Sequence, residues 1–484
     1  MYNMEVEDYV VSKIEDMPEL SRMYTHQHGR SLKYRTIFFR LKKYVDNFRV
    51  GLGSDKERLV IIYGLRGIGK TTVMFQVYEY LKSLKVPPKH LIYLPADEVT
   101  SYLGSNLAKV IDVYIEKQLN TSLAKLDKPI FIFIDEAHYD KNWAAVVKTI
   151  HDHSKKIFVF VTGSSAIALD VTTDTARRST KAPMFPLGFW EYEILKNNLY
   201  PPKGTATNIK ELLMSGDVSY VKIINTLEKR MNAAFQDRNL DMDKEIMDYL
   251  ISGGFGFGLT ARNMQEVYKT TNDLIDKVVK NDLATIKQFN PETQHYIYRI
   301  LGYLALKKPG ETSHSKLANN LDTSPTNVNS LLTALEKTHM IFSIKPYTKR
   351  SKEATNLPWR YYFLTTTLFA AIRHNMGLGS WDNTTKGMLW ENAVAANLFR
   401  MKSTLERPVN LFYDAEKEGS VDFLLVNELD SKIIPVEVGL NKTERQINKA
   451  IETYKSDFGV LITGISETEL DGKILKVPFR TFLS

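Results

Sequence analysis

Residues 64–71, Gly64-Leu65-Arg66-Gly67-Ile68-Gly69-Lys70-Thr71, satisfy every fixed position of G-x-x-x-x-G-K-[ST], and Thr72 follows. Glycines at these positions let backbone N–H groups wrap phosphate oxygens without a side-chain clash. A helix starting after Gly69 adds its positive end to the same anion. Lys70 would neutralise the β- and γ-phosphates, and the Thr71 hydroxyl would ligate Mg²⁺. The chemistry expected is ATP binding. A second constellation, Ile130-Phe-Ile-Phe-Ile134-Asp135-Glu136, supplies what such a loop needs. An apolar strand delivers Asp135 to its tip, where it can hold Mg²⁺ or its water, and Glu136 can polarise the attacking water. An acid beside the magnesium ligand points to hydrolysis rather than phosphoryl transfer to a small molecule. Thr162 or Ser164, at the end of a further apolar run, could sense the γ-phosphate or orient the water; a strand capped by a turn is the plain alternative. Arg177 and Arg178 follow about one helix later. An arginine there could reach the nucleotide of a neighbouring subunit; otherwise the pair is surface charge.

The elements that must position these groups are legible from the apolar runs. Residues 58–63, 90–94, 129–134 and 157–161 read as buried strands, separated by helix-like stretches such as 70–84 and 143–153. Strands alternating with helices predict a parallel sheet covered on both faces, over roughly 51–200. Residues 1–50 read as a polar leader with a short basic helix near 40–43. From about 205 to 290 the pattern is helical, interrupted by the glycine-rich 252–258, which reads as mobile or tightly turned.

At 484 residues the chain is too long for one ordinary core. Hydrophobic residues make up 43% and charged residues 25%, a globular balance. No apolar run has the length of a membrane span, and the acidic start lacks a signal core, so a cytoplasmic protein without membrane contact is expected. The absence of cysteine excludes disulfides, thiolate metal sites and cysteine nucleophiles. A net charge of +8 permits nucleic-acid binding. His26 and His28 could touch a metal but lack further ligands.

Residues 313–341 read as a helix-turn-helix, with Ser324 as N-cap and Pro325 at the first helical position. Val328, Leu331, Leu332 and Leu335 give one core face. Thr326, Asn327, Asn329, Ser330 and Thr333 lie opposite, polar groups able to meet a groove or phosphates. Lys345, Lys349, Arg350 and Lys352 then lead to Trp359-Arg-Tyr-Tyr-Phe363, similar to a basic wing and its returning strand. Residues 295–350 hold eight Lys/Arg against three Asp/Glu, an excess that favours phosphate contact; winged helices also serve as packing modules.

Taken together, GLRGIGKTT at 64–72, FIFIDEAH at 131–138, VTGSSA at 161–166, PLGFWEY at 186–192 and SGGFG at 252–256 resemble the AAA+ class, and more closely archaeal-type ATPases with a C-terminal nuclease-like domain. Gly188 stands where serine is common in that family, and the family's arginine-bearing segment maps onto Arg177 and Arg178. The resemblance implies an α/β fold: a leader at 1–50, an AAA+ P-loop core at 51–204, a helical lid at 205–290, a winged helix at 291–383 and a restriction-endonuclease-like domain at 384–484. It also implies a homo-oligomer, six subunits being one candidate size, with sites shared between neighbours.

In the last unit a helix carries Glu391, and two strands carry Asp422 and Glu437. Their order resembles the restriction-endonuclease-like (PD-(D/E)XK) fold, which implies that the three acids bind Mg²⁺ and that a lysine two residues after the last one activates water. That position is Gly439; Lys442 could substitute, and Gln446 could touch the DNA backbone. An inactive nuclease-like fold and plain α/β structure stay open. The leading expectation is an ATPase acting on DNA, branched or junction DNA among the candidates. An ATP-gated switch for a protein partner and an ATP-regulated nuclease are the alternatives.

Overall fold

The computed structural model describes the chain except residues 1–4, 28, 165–172, 287–290, 309–312, 348–356, 405–407, 417–419 and 440–441. His28, Ser165, Ala166, Lys349, Arg350 and Lys352 lie outside the described residues. Two compact units form: Met1–Met184 with Asn281–Gln288, and Phe185–Lys280 with Phe289–Ser484.

The first unit is built on a parallel sheet of β1 (Leu59–Tyr63), β2 (Leu91–Pro95), β3 (Ile130–Asp135), β4 (Ile157–Gly163) and β5 (Thr180–Pro183), in the order β2-β3-β4-β1-β5. Strands β3 and β4 are buried along their whole length, as continuous apolar runs between two neighbours must be. Helices α3 (Lys70–Ser83) and α4 (Trp143–His153) follow β1 and β3. The reading of residues 1–50 as a leader needs correction. They form α1 (Val6–Thr25) and α2 (Thr36–Arg49), and both pack on the sheet unit. Tyr9 and Val10 join the sheet's apolar cluster, while Phe38, Leu41 and Val45 bury one face of α2. Between these helices the chain crosses the phosphate loop's helix: Gln76 Nε2 donates to Lys33 O at 3.2 Å, and Arg35 Nη1 donates to Ile68 O at 2.9 Å.

The second unit begins with the helices α6 (Phe189–Asn197), α7 (Thr205–Ser215), α8 (Val218–Gln236), α9 (Met242–Ser252) and α10 (Met264–Lys277), after α5 (Thr173–Arg178) in the first. The glycine run after α9 is tightly packed. A Cβ on Gly254 would meet Thr365 Oγ1 at 2.0 Å, and the Gly254 amide donates to Thr367 Oγ1 at 3.0 Å. Next come α11 (Pro291–Leu306), α12 (His314–Leu321) and α13 (Pro325–Lys337), then β6 (Ile341–Tyr347), β7 (Arg360–Phe363), α14 (Thr366–Asn375) and α15 (Asn383–Thr404). The Ser324 side chain caps α13 by accepting from Asn327 N at 3.1 Å. The C-terminal strands are β8 (Val409–Asp414), β9 (Phe423–Asn427), β10 (Ile433–Val438), β11 (Gly459–Thr463), β12 (Glu469–Asp471) and β13 (Ile474–Pro478), with α16 (Arg445–Tyr454) between β10 and β11.

One described sheet runs β12-β13-β11-β10-β9-β8-β6-β7. The pair β6–β7, expected as the wing of a separate winged-helix domain, is therefore part of the C-terminal sheet. Phe412 of β8 pairs with Lys345 of β6 in parallel register. Glu228 of α8 accepts from the hydroxyls of Thr468 and Thr481, each at 2.6 Å, so the helical segment and the C-terminal strands share buried polar contacts.

Candidate nucleotide site

The loop leaves β1 at Tyr63 and enters α3 at Lys70. Gly64 has φ +156, and a Cβ there would lie 2.1 Å from Met184 O, so any side chain would collide with backbone. Gly69 caps α3 with a left-handed φ of +91, which favours glycine. Lys70 is buried, and its Nζ donates to Gly64 O at 3.1 Å and Leu65 O at 3.2 Å. The loop is thus closed around its own lysine, a concave nest of amides whose cation is already in place.

Asp135, at the tip of β3, is opposite Pro95 of β2. Thr71 Oγ1 donates to Asp135 Oδ2 at 2.8 Å, which brings the loop and the strand tip to one point. Tyr93 OH also donates to Oδ2, at 2.9 Å; Thr162 Oγ1 donates to Oδ1, and Glu136 N donates to Oδ1 at 3.1 Å. Glu136 takes a left-handed turn, φ +47, that ends the strand and turns its side chain out of the sheet pleat. Burial raises its carboxyl above the ordinary range, with Lys70 opposing. His138 is buried, its Nδ1 3.4 Å from Glu136 Oε2, and neither ring nitrogen has a hydrogen-bond partner. Burial pushes its pKa down to about 4, leaving the ring neutral at pH 7.

The donor set fits Mg²⁺ with a triphosphate: a hydroxyl and a carboxylate converge beside a glycine cradle and a buried ammonium. Thr162 is committed to the acidic pair, since its hydroxyl also accepts from Glu136 N at 3.2 Å. The buried Ser164 hydroxyl has no such partner. Arg177 and Arg178 are not brought to the loop of their own copy. They end α5, and Thr180 just beyond pairs with Val60, near the start of β1, whereas the loop leaves that strand's far end. Arg178 is held by Asp152 at 2.6 Å, while Arg177 is exposed. Local patterns did not point to Tyr93, Arg35 or His138 as members of this site, although His138 closes the quoted FIFIDEAH run. Nothing local marked Asp282, whose Oδ1 lies 2.7 Å from Arg66 Nη1.

In the second unit Glu391, Asp422 and Glu437 are mutually close enough that Asp422, after burial, is the main influence raising Glu391 and Glu437, each to about 7. Each already has protein partners. Tyr362 OH donates to Glu391 Oε1 at 2.9 Å, Val438 N to Asp422 Oδ2 at 2.9 Å, and Asp422 N to Glu437 Oε2 at 3.1 Å. Lys442 Nζ pairs with Glu437. A Cβ on Gly439 would lie 2.4 Å from Lys442 Cγ, so the stem of Lys442 fills the space of the missing lysine. Among the described residues no group of three or more His, Asp or Glu is spaced to hold a metal ion. The three acids and Lys442 are thus gathered in one place, as the resemblance implied, with at least one oxygen of each carboxylate held by the protein.

Residues 56–193 match a family profile described as an AAA domain, and residues 243–378 and 386–478 match two domains of unknown function, DUF8612 and DUF4143. The uncharacterized protein MJ1637 of Methanocaldococcus jannaschii is 28% identical over 486 residues, covering 99% of this chain and 94% of its own length. An uncharacterized protein of Haemophilus influenzae is 20% identical over 430 residues, 87% and 92% of the two chains. The Aeropyrum pernix ORC1 protein, solved in complex with DNA, aligns at 13% identity over 73% of this chain and 96% of its own, with a TM-score of 0.31. The AAA-domain match and the loop with its acidic pair on one parallel sheet support an AAA+ P-loop ATPase core. No helix of the described residues is long and apolar enough to cross a membrane.

Proposed function

We propose that the chain is a Mg²⁺-dependent ATPase whose turnover acts on DNA. The observation that carries the ATPase reading is the Thr71–Asp135 hydrogen bond, which joins the phosphate loop to the acidic strand tip at 2.8 Å. Lys70 and the loop amides hold the phosphates. Thr71 and Asp135 would hold Mg²⁺, which would supply positive charge to offset that of the phosphates. Glu136 orients the attacking water and takes its proton, and the partial burial that raises its carboxyl strengthens it as a proton acceptor. Neutral His138 stands against Glu136 without drawing it into an ion pair. Arg177, the exposed member of its pair, is the arginine available to a neighbouring copy in an oligomer. The DNA reading is supported by α13, where Thr326, Asn329 and Thr333 are exposed opposite the core face, and by the basic excess over 295–350.

The test is ATP turnover against single-stranded, duplex and four-way DNA at stated salt. Lys70→Ala should lose nucleotide binding, and Glu136→Gln should keep it while turnover falls on the order of 10²- to 10³-fold. Stimulation by one DNA form supports the DNA role. No stimulation by any DNA form removes it and favours an ATP-gated switch.

A further inference from the structure

His138 is a buried group of the nucleotide site whose hydrogen-bonding capacity the fold does not use. Its side chain is only 5% exposed, and neither ring nitrogen has a hydrogen-bond partner among the described residues. Burying an imidazole without partners costs free energy, so such a group in a folded protein calls for an explanation. Backbone bonds fix its place instead. In the turn that ends β3, Tyr139 N donates to Glu136 O at 3.1 Å and Asp140 N donates to Ala137 O at 3.0 Å. Asp140 pins this turn with both carboxylate oxygens, accepting from Asn142 N and from Leu107 N, each at 2.8 Å. The histidine ring lies against that of Tyr139, with centroids 4.7 Å apart. Its Nδ1 faces Glu136 Oε2 at 3.4 Å, and Lys70, Arg66 and Asp282 are within electrostatic reach of the ring.

We infer that His138 is a positioning residue, which orients the Glu136 carboxylate toward the attacking water. The inference rests on the ATPase reading and on the part given there to Glu136. Burial keeps the ring neutral, so it carries a single N–H. Facing an ionised carboxylate, that hydrogen belongs on Nδ1, which donates to Oε2. At 3.4 Å the pair is longer than an ordinary N–H···O bond. The ring is fixed by its turn, so closing the bond falls to the Glu136 side chain, which is 23% exposed. Holding Oε2 leaves Oε1 to take the proton of the water. The water oxygen bonds to the γ-phosphorus as the bond to the ADP oxygen breaks. A neutral donor orients the carboxylate without the positive charge that would make it a weaker base.

The experiment is steady-state ATP turnover with Mg²⁺ by the full chain. An asparagine amide sits where Nδ1 lies, a glutamine amide where Nε2 lies, and leucine offers neither. His138→Leu and His138→Gln should each lower kcat at least about tenfold, with KM within about twofold of wild type. His138→Asn, which keeps a donor at the Nδ1 position, should hold kcat within about threefold. In a Glu136→Gln background, His138→Leu should change turnover by less than about twofold, because the histidine acts through the glutamate. Should His138→Leu not fold, the contrast between asparagine and glutamine decides. A wild-type kcat in His138→Gln overturns the inference and leaves the ATPase reading intact. So does an equal loss in His138→Asn and His138→Gln, or an undiminished loss in the Glu136→Gln background. A wild-type chain without turnover overturns both.

Discussion

Asp135 accepts from Thr71, Tyr93, Thr162 and the Glu136 amide, so its orientation is fixed before any ligand arrives. Four donors fix this carboxylate's orientation, as the cation-ligand role proposed for it requires, since a prearranged group acts electrostatically without reorganisation. A different buried acid has the opposite character. Glu193 in α6 is fully buried. Its Oε2 accepts from Asn197 at 2.8 Å, and its Oε1 has no partner. Burial, with Glu245 nearby, lifts its pKa to about 7. The folded form thus binds the proton more tightly than the unfolded chain does. Its stability contribution is full below the unfolded value near 4.5 and is lost as pH rises through about 7. Glu193→Gln should therefore raise stability at pH 8 by on the order of 2 kcal/mol and change it little at pH 4.5. Denaturant unfolding at the two pH values measures this, and equal effects at both would remove the explanation.

Helix starts and close approaches tie several residue choices to the fold. Ser324 accepts from Asn327 N and begins the exposed-face helix α13, so Ser324→Ala should cost about 1 kcal/mol, read as a lower unfolding midpoint. Gly188, where serine would be usual in the resembling family, faces the Arg400 guanidinium: a Cβ there would lie 2.3 Å from its Nη1. The glycine admits an arginine that also reaches Glu191 at 3.7 Å. Gly188→Ser should displace Arg400 and lower stability by roughly 1 kcal/mol, whereas Gly387→Ala, in α15 with open space around it, should raise it by about 0.5–1 kcal/mol.

Arg177 and Arg178 sit at the end of their sheet away from the phosphate loop, so they do not meet the loop of their own copy. If copies share sites, Arg177→Ala should lower turnover at least about tenfold while nucleotide affinity changes less than about twofold. Arg178→Ala, which breaks a surface pair with Asp152, should leave turnover within about twofold. Turnover per chain should also rise with protein concentration as copies assemble. Turnover independent of concentration and of Arg177 would place the arginines outside the chemistry.

What the sequence determined by itself was local in the chain. Gly64–Thr71 and Asp135-Glu136 were legible because a phosphate loop and an acidic strand tip need particular residue types at fixed short spacings. The parallel sheet of the first unit was legible because its central strands are unbroken apolar runs. The helix pair around Ser324 was legible from its cap and its period. Tertiary structure decided everything that depends on long sequence separation. It folded Val6–Thr25 and Thr36–Arg49 onto the sheet unit, joined β6–β7 to the C-terminal strands, and set Lys442 in the space above Gly439. It also brought Asp282 to Arg66. No period or motif encodes such meetings, because a side chain's partner across hundreds of residues is fixed by packing and charge satisfaction in the folded chain. The phosphate-loop motif could therefore be read from its letters, while the residue that pairs with its arginine could be found only in the fold.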